Sequence, residues 1–208
     1  MDKVENVRLV EMGQSNFIKP YRILFKQNKK DRIWDGIKVH DSVSVLIYNV
    51  TRKKIIVVKQ FRPVVYVCNT TNNVQEGISI DTNKNPGTKG ITYELCAGII
   101  DKDKSDAEIV KDEILEECGY DVPIENIEKI TKFKSSVGIA GCTQTLFYAE
   151  VTDDMKKTEG GGREEEGELI DVYEIPADEC LKFAMDESYD KPVGMIFGLH
   201  WFHMYKLK

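Results

Sequence analysis

Residues 97–120 hold a glycine turn, a helix start, a run of carboxylates and a glycine stop, and they constrain the fold more than any other segment. Ser105 and Glu108 are spaced as a capping box, in which each side chain accepts a hydrogen bond from the other residue's backbone N–H at the start of a helix. Gly119 fits the left-handed backbone position at which many helices end. The segment therefore predicts a helix bounded by Ser105 and Gly119, entered from a tight turn.

Three glutamates of this helix, Glu113, Glu116 and Glu117, are three and four residues apart, which stacks them on one face. An apolar stripe that includes Val110 and Ile114 lies elsewhere on the helix, so the carboxylates are expected to face solvent or a ligand. Like charges stacked in this way repel one another. A hard divalent cation, Mg²⁺ or Mn²⁺, is the natural compensation for carboxylate oxygens. A solvated acidic face is the alternative interpretation.

Length and composition narrow the class of protein. The chain has 208 residues, which suffices for one large domain or for one domain with a small extra lobe. The formal net charge of −6 gives no nucleic-acid footprint, and no stretch reaches the roughly eighteen apolar residues of a membrane span. The five cysteines are an odd number without a C-x-x-C pair, which favours reduced thiols. We therefore expect a cytoplasmic protein without a nucleic-acid or membrane partner.

The order of the predicted elements indicates an α/β fold. Residues 1–40 predict a small amino-terminal β lobe, and residues 41–208 the main domain, which begins with a Val- and Ile-rich hairpin at 42–60. Residues 67–90 are rich in Asn, Thr and Gly and predict a long surface loop. Further strands are predicted at 91–97, 127–133, 143–151 and 170–175, and helices at 179–185 and 194–205. This succession is typical of a mixed α/β sandwich.

The run at residues 97–120 resembles the Nudix box, the signature of the Nudix hydrolases. In that signature a glycine is followed by five residues, a glutamate, seven further residues and then Arg-Glu-apolar-x-Glu-Glu-x-Gly-apolar. The positions in register are Gly98, Glu113, Ile114, Glu116, Glu117, Gly119 and Tyr120. Two positions depart: Lys104 stands where the family has its first glutamate, and Asp112 where it has arginine. Because both departures reverse the charge, a Lys104–Asp112 ion pair is predicted to replace the Glu–Arg pair.

Flanking motifs over residues 20–205 resemble the nucleoside-diphosphate-sugar branch of this family. They are Trp34-Asp35, His40-Asp41-Ser42-Val43, Lys59-Gln60-Phe61-Arg62-Pro63, Glu94-Leu95-Cys96-Ala97-Gly98 and Glu166-Gly167-Glu168-Leu169-Ile170. The likeness is greatest to enzymes that hydrolyse UDP-glucose. It implies a Nudix-type α/β/α sandwich with a mixed sheet, and a homodimer in which the amino-terminal lobe of one subunit helps to form the partner's site.

The same resemblance implies magnesium-dependent hydrolysis of the pyrophosphate bond of a nucleoside diphosphate sugar, preferably UDP-glucose, to a nucleoside monophosphate and a sugar 1-phosphate. ADP-ribose or another ADP-sugar is the next substrate, and a non-catalytic nucleotide-sugar sensor is the alternative function. By resemblance, Glu113 and Glu117 would bind Mg²⁺ directly, with Mn²⁺ as a substitute. Glu116 would bind it directly or through water, and the carbonyl of Ala97 would be a further ligand.

Three residues are candidates for binding the substrate. The planar guanidinium of Arg62 suits a phosphate, with a surface ion pair as the alternative. Trp34 is a candidate to stack on the nucleobase, with burial in the core as the alternative. Gly138 belongs to a glycine-rich loop that is expected to line the sugar or phosphate pocket, unless the loop is a plain turn.

A general base is expected from an acidic loop, residues 153–167, and its root, as in members of this branch. Glu166 or Glu168 is predicted, because both directly precede the strand at 170–175. One is expected to bind metal and the other to accept a proton from water. A solvated charge run is the alternative for these glutamates. The three glycines at 160–162 are predicted to give the loop the flexibility to close over substrate.

Overall fold

The computed structural model describes residues 3–15 and 18–207 and has the predicted mixed α/β architecture. The strands are β1 (Lys19–Gln27), β2 (Lys30–Lys38), β3 (Ser42–Asn49), β4 (Lys54–Phe61), β5 (Ile91–Glu94), β6 (Cys96–Ile99), β7 (Ile127–Ser135), β8 (Cys142–Val151) and β9 (Ile170–Pro176). The helices are α1 (Pro63–Thr70), α2 (Asp106–Cys118), α3 (Cys180–Met185) and α4 (Val193–Tyr205). β1 and β2 form a separate two-stranded sheet, and the other strands form a seven-stranded one.

The larger sheet forks at one end. β3 pairs in parallel with β8, and β7 pairs antiparallel with β8. Along β3 the other neighbour changes, because Ile47–Asn49 pair with β4 whereas Ser42–Val45 pair with β6. β4 instead continues beside β9 and β5. This change of partner also explains why the strand predicted at 91–97 is divided at Leu95 into β5 and β6.

Helices cover both faces of the larger sheet, which confirms the predicted α/β/α sandwich. Successive residues of a strand point to opposite faces, so Val45 and Leu46 enter different apolar clusters. Val45 lies in the cluster that contains Ile109 of α2, and Leu46 lies in the cluster that contains Phe202 of α4. Within the described residues, none of the helices has the length and hydrophobicity needed to cross a bilayer.

Helix α2 begins and ends at the predicted residues. The backbone N–H of Ser105 donates to Glu108 Oε2 at 2.8 Å, and that of Glu108 donates to Ser105 Oγ at 3.3 Å. Gly119 has a φ of 78°, the left-handed geometry that glycine adopts without strain. The capping box and the glycine stop are therefore confirmed, and they fix which residues α2 presents to the sheet.

The acidic loop is fastened to the carboxyl end of α2. The N–H of Gly161 donates to the carbonyl of Glu117 at 2.9 Å, and that of Gly162 donates to the carbonyl of Glu116 at 3.1 Å. All three glycines have positive φ, and a Cβ on Gly160 would lie 2.2 Å from the carbonyl oxygen of Glu117. Glycine is therefore needed at position 160 for this close docking, and the predicted flexibility of the loop stays a prediction.

Residues 67–90, predicted as a surface loop, begin in α1 and end in a 3₁₀ turn at Gly87–Gly90. Pro63 occupies the first turn of α1, where a residue without an N–H costs no hydrogen bond. The Tyr66 hydroxyl donates to the carbonyl of Asn85 at 2.6 Å and so ties this helix to the middle of the segment. The polar composition of residues 67–90 concealed the 3₁₀ turn, whereas α1 begins in an apolar run, residues 63–68, to which the sequence prediction assigned no helix.

The two departures from the family signature form an ion pair, as predicted. Lys104 Nζ lies 2.5 Å from Asp112 Oδ2, and both side chains are partly exposed. The charge and hydrogen bonds of Asp112 raise the pKa of Lys104. An ion pair exposed to water contributes little to the stability of the fold. Reversing only one of its charges, however, would place two like charges side by side.

Exchanging the two charges, in the double variant Lys104→Glu with Asp112→Arg, is expected to preserve the fold and the melting temperature. Each single change places two like charges together and is expected to lower the melting temperature by a few degrees. Thermal unfolding followed by circular dichroism compares the three variants. A double variant less stable than both single variants would contradict the pairing.

Candidate active site

A cleft of about 640 Å³ opens at the forked end of the larger sheet. It lies between the start of β3, the end of β4, β6 and the cleft-facing side of α2. Of the described residues, six carboxylates line it: Glu94, Asp101, Glu113, Glu116, Glu117 and Glu168. Ala97, Arg62 and Lys102 line it as well. The cleft thus brings together the predicted metal residues, the predicted phosphate-binding arginine and one of the two predicted bases.

The contact between α2 and β6 positions two of the glutamates. Glu117 is only 4% exposed, and its carboxylate accepts a hydrogen bond from the Ala97 N–H at 3.1 Å. A Cβ on Gly98 would lie 2.1 Å from Glu113 Oε1, so glycine is required for the carboxylate to lie against the strand. All three glutamates line the cleft, which agrees with the predicted face toward solvent or a ligand, but Glu117 is buried because α2 presses it against β6.

Burial makes these two carboxylates reluctant to ionise. Loss of hydration, reinforced by the charges of Glu116 and Glu168, raises the pKa of Glu113 to about 7. Loss of hydration also raises the pKa of Glu117 to about 8, although the hydrogen bond from Ala97 opposes the shift. A group of carboxylates with such pKa values lacks the positive charge that would favour its ionised form.

Arg163, at the end of the acidic loop, supplies some of that charge. Its guanidinium forms an ion pair with Glu116, and its backbone N–H donates to Glu168 Oε2 at 3.0 Å. Sequence reasoning missed Arg163, although a basic residue directly before three glutamates was a usable signal. The side chain of Glu166, the other predicted base, lies outside the described part of the structure.

Arg62 lines the wall of the cleft and is held by a bidentate ion pair. Its Nε lies 2.7 Å from Glu94 Oε1, and its Nη2 lies 2.8 Å from Glu94 Oε2. Burial raises the pKa of Glu94, but hydrogen bonds and charge from Arg62 outweigh that effect and hold it below the ordinary value. Arg62 thus forms the ion pair of the alternative interpretation and also faces the cleft, where its binding of phosphate stays a prediction.

Trp34 and Gly138 lie together, away from the cleft. Trp34 is 55% exposed on the β1–β2 hairpin, so burial in the core is excluded. Its indole N–H donates to the carbonyl of Gly138 at 2.9 Å, and the N–H of Ile37 donates to the carbonyl of Ile139 at the same distance. The two residues therefore join the hairpin to the main domain, and neither is among the described residues that line the cleft of this chain.

Two neutral polar residues that sequence reasoning missed also face the cleft. The Gln144 side-chain amide donates to Ser42 Oγ at 3.2 Å, where β8 and β3 begin. Both residues belong to predicted strands that are otherwise apolar. Their positions near the starts of these strands were the one sequence signal that could have indicated a role in the cleft. They give this end of the cleft hydrogen-bonding groups without a charge.

The donors in the cleft suit a hard cation, but they do not form a ready cage. All of them are oxygens, which Mg²⁺ and Mn²⁺ prefer. Among the described His, Cys, Asp and Glu side chains, no three converge closely enough to hold a metal as they stand. Two of the carboxylates have other partners, since Glu116 pairs with Arg163 and Glu117 accepts from the Ala97 N–H.

Known proteins resemble the chain over almost its whole length, although no protein-family model matches it. It is 38% identical over 211 residues to the uridine diphosphate glucose pyrophosphatase NUDT14 of Bos taurus, which covers 97% of this chain and 95% of the relative. The protein of that name from Mus musculus is 34% identical with the same coverage. A GDP-mannose pyrophosphatase of Salmonella arizonae is 32% identical over 79% of this chain and 75% of its own. With its α/β/α sandwich and its cleft of glutamates, the chain belongs to the Nudix hydrolases, in the nucleoside-diphosphate-sugar branch.

Proposed function

We propose that the protein hydrolyses the pyrophosphate bond of a nucleoside diphosphate sugar, preferably UDP-glucose, and releases a nucleoside monophosphate and a sugar 1-phosphate. The observation that carries the proposal is one cleft in which the glutamates of α2, the root of the acidic loop and Arg62 face a common space. Relatives named for UDP-glucose and GDP-mannose support this class of substrate.

We infer that the cofactor is Mg²⁺, with Mn²⁺ as a substitute, held by Glu113, Glu116, Glu117 and the carbonyl of Ala97. The raised pKa values of Glu113 and Glu117 support this set, because a cation would favour their ionised forms. A bound divalent cation would neutralise the diphosphate and make a water molecule more acidic.

The side chains of the cleft then have distinct tasks. Arg62 is fixed by Glu94 and presents its guanidinium toward the cleft, where it would bind phosphate oxygens. Glu168 stands two residues before β9 and is held by the N–H of Arg163, so it is placed to accept a proton from water. Glu166 stays the alternative base. The Ser42–Gln144 pair offers hydrogen bonds to uncharged groups such as sugar hydroxyls.

We further propose a homodimer in which the β1–β2 hairpin contacts the partner and its Trp34 stacks on a nucleobase in the partner's cleft. An isolated two-stranded sheet is marginally stable, so it needs cover. Large apolar side chains are exposed along both strands, among them Leu24 at 72% and its cross-strand partner Ile33 at 62%.

The five unpaired cysteines support a reducing compartment, the cytoplasm.

Glu117→Gln is expected to reduce hydrolysis of UDP-glucose by at least about 100-fold, because the amide keeps the shape and loses the charge that a metal needs. Chromatography of released nucleoside monophosphate, with UDP-glucose, GDP-mannose and ADP-ribose compared, measures this and the substrate preference. Glu125→Gln, an exposed glutamate outside the cleft, is the matched control. Full activity in Glu117→Gln would contradict the assigned ligand.

The melting temperature of the metal-free protein is expected to fall as the pH rises from about 5 to about 8.5. The pKa values of Glu113 and Glu117 rise from the ordinary 4.5 to about 7 and about 8 on folding. The folded protein therefore binds more protons than the unfolded chain in this window, so that deprotonation costs stability. Glu117→Gln cannot release a proton at this position, so its melting temperature is expected to depend less on pH.

Because a metal competes with these protons, Mg²⁺ is expected to raise the melting temperature more at about pH 8 than at about pH 6. Scanning fluorimetry over a pH series, with and without Mg²⁺, measures both effects. A wild-type melting temperature that is flat or rises with pH, or a Mg²⁺ effect that is equal at both pH values, would be incompatible with these assignments.

Leu24→Glu is expected to convert the dimer to a monomer, because it places a charge in the apolar surface of the hairpin. Light scattering coupled to size exclusion gives the mass. Met185→Glu changes an equally prominent apolar side chain, 68% exposed at the end of α3, and is expected to stay dimeric. A monomeric wild-type protein, or a Leu24→Glu dimer, would overturn the proposed interface.

A further inference from the structure

The backbone of Arg163 is fixed by hydrogen bonds on both sides, and its guanidinium reaches α2. Its backbone N–H is bonded to Glu168 Oε2 at 3.0 Å, and the preceding Gly162 is bonded through its N–H to the carbonyl of Glu116. The left-handed φ of 77° at Gly162, where a Cβ would meet the Glu168 side chain, fixes this backbone further. The guanidinium is thereby delivered to the carboxylate of Glu116 on α2.

The positively charged guanidinium lies among the carboxylates of the cleft. Glu116 lies on the face of α2 that also bears Glu113, and the charge of Arg163 acts on Glu113 as well as on its direct partner. Both members of the Arg163–Glu116 pair are partly exposed. Such a pair is weak enough to exchange for a stronger cation, and a carboxylate cannot serve Arg163 and a metal fully at once.

We propose that Arg163 is a placeholder for the divalent cation: its guanidinium occupies Glu116 in the metal-free protein, is displaced when metal binds, and then binds the diphosphate of the substrate. The second half rests on the proposed function. A guanidinium suits it because its planar donors match phosphate oxygens, and its backbone stays anchored beside Glu168. Arg62, by contrast, remains paired with Glu94 and needs no exchange.

The first test is metal binding to the 208-residue chain without nucleotide, measured by the loss of the free Mn²⁺ signal in electron paramagnetic resonance. Arg163→Gln is expected to tighten Mn²⁺ binding about two- to fivefold, the range of a partly exposed ion pair that no longer competes. Lys157→Gln removes an exposed positive charge from the same loop without touching a cleft carboxylate and is the matched control. Arg163→Lys, which keeps the charge, is expected to increase the affinity for Mn²⁺ less than Arg163→Gln does.

A Mn²⁺ affinity of Arg163→Gln that is unchanged, weaker, or raised only as much as that of Lys157→Gln would overturn the placeholder role. The gain is expected to disappear when Arg163→Gln is combined with Glu116→Gln, since the contested carboxylate is then absent. If the gain persists in that background, the competition is not for Glu116 and the proposal is wrong.

The second test is steady-state hydrolysis of UDP-glucose at saturating Mg²⁺. Arg163→Gln is expected to raise KM about tenfold, as for loss of one charge-assisted contact, with a smaller change in kcat. An unchanged KM would overturn the binding of diphosphate by Arg163. If the wild-type protein hydrolyses no nucleotide sugar, the proposed function fails, whereas the Mn²⁺ titration still decides whether Arg163 competes with metal.

Discussion

The close contact between α2 and β6 is the interaction on which the site depends. It is possible because Gly98 has no Cβ at the point where Glu113 lies against the strand, and it is held by the hydrogen bond from the Ala97 N–H to Glu117. The capping box and Gly119 set the length and register of α2, so they decide which carboxylates reach this contact. Loss of hydration raises the pKa of the buried Glu117 and of the half-buried Glu113, and Arg163 in the same cleft partly opposes the shift at Glu113.

The acidic loop depends on the same helix at its other end. Its glycines dock on the final carbonyls of α2, which places Arg163 against Glu116 and Glu168 at the foot of β9. One helix therefore contributes its own carboxylates and also positions the loop that completes the cleft. A local sequence signature defines the helix. The site forms only because segments distant in sequence pack against the helix and bond to its carboxyl end.

Local signals in the sequence were sufficient for α2 and for the hairpin of β3 and β4, because caps and alternation act over a few residues. Glu113, Glu116 and Glu117 were expected in the site from their spacing together with the family resemblance. The paired charges of Lys104 and Asp112 were also predictable, since both signs were reversed together. Three features were not: the burial of Glu117, the close docking of the loop at Gly160 and the helix α1 that follows Arg62. Each of these features depends on which distant segment packs against it, and patterns over a few residues do not predict such contacts.

The reversed pair at Lys104 and Asp112 has an evolutionary consequence. The family signature has glutamate and arginine at these positions, so the two arrangements differ by two substitutions that reverse the charges. A chain with only one of the substitutions carries like charges at the contact, and neither change is neutral in the background of the other. The two sites are thus epistatic, and a relative with a single reversal is expected to carry a compensating charge nearby.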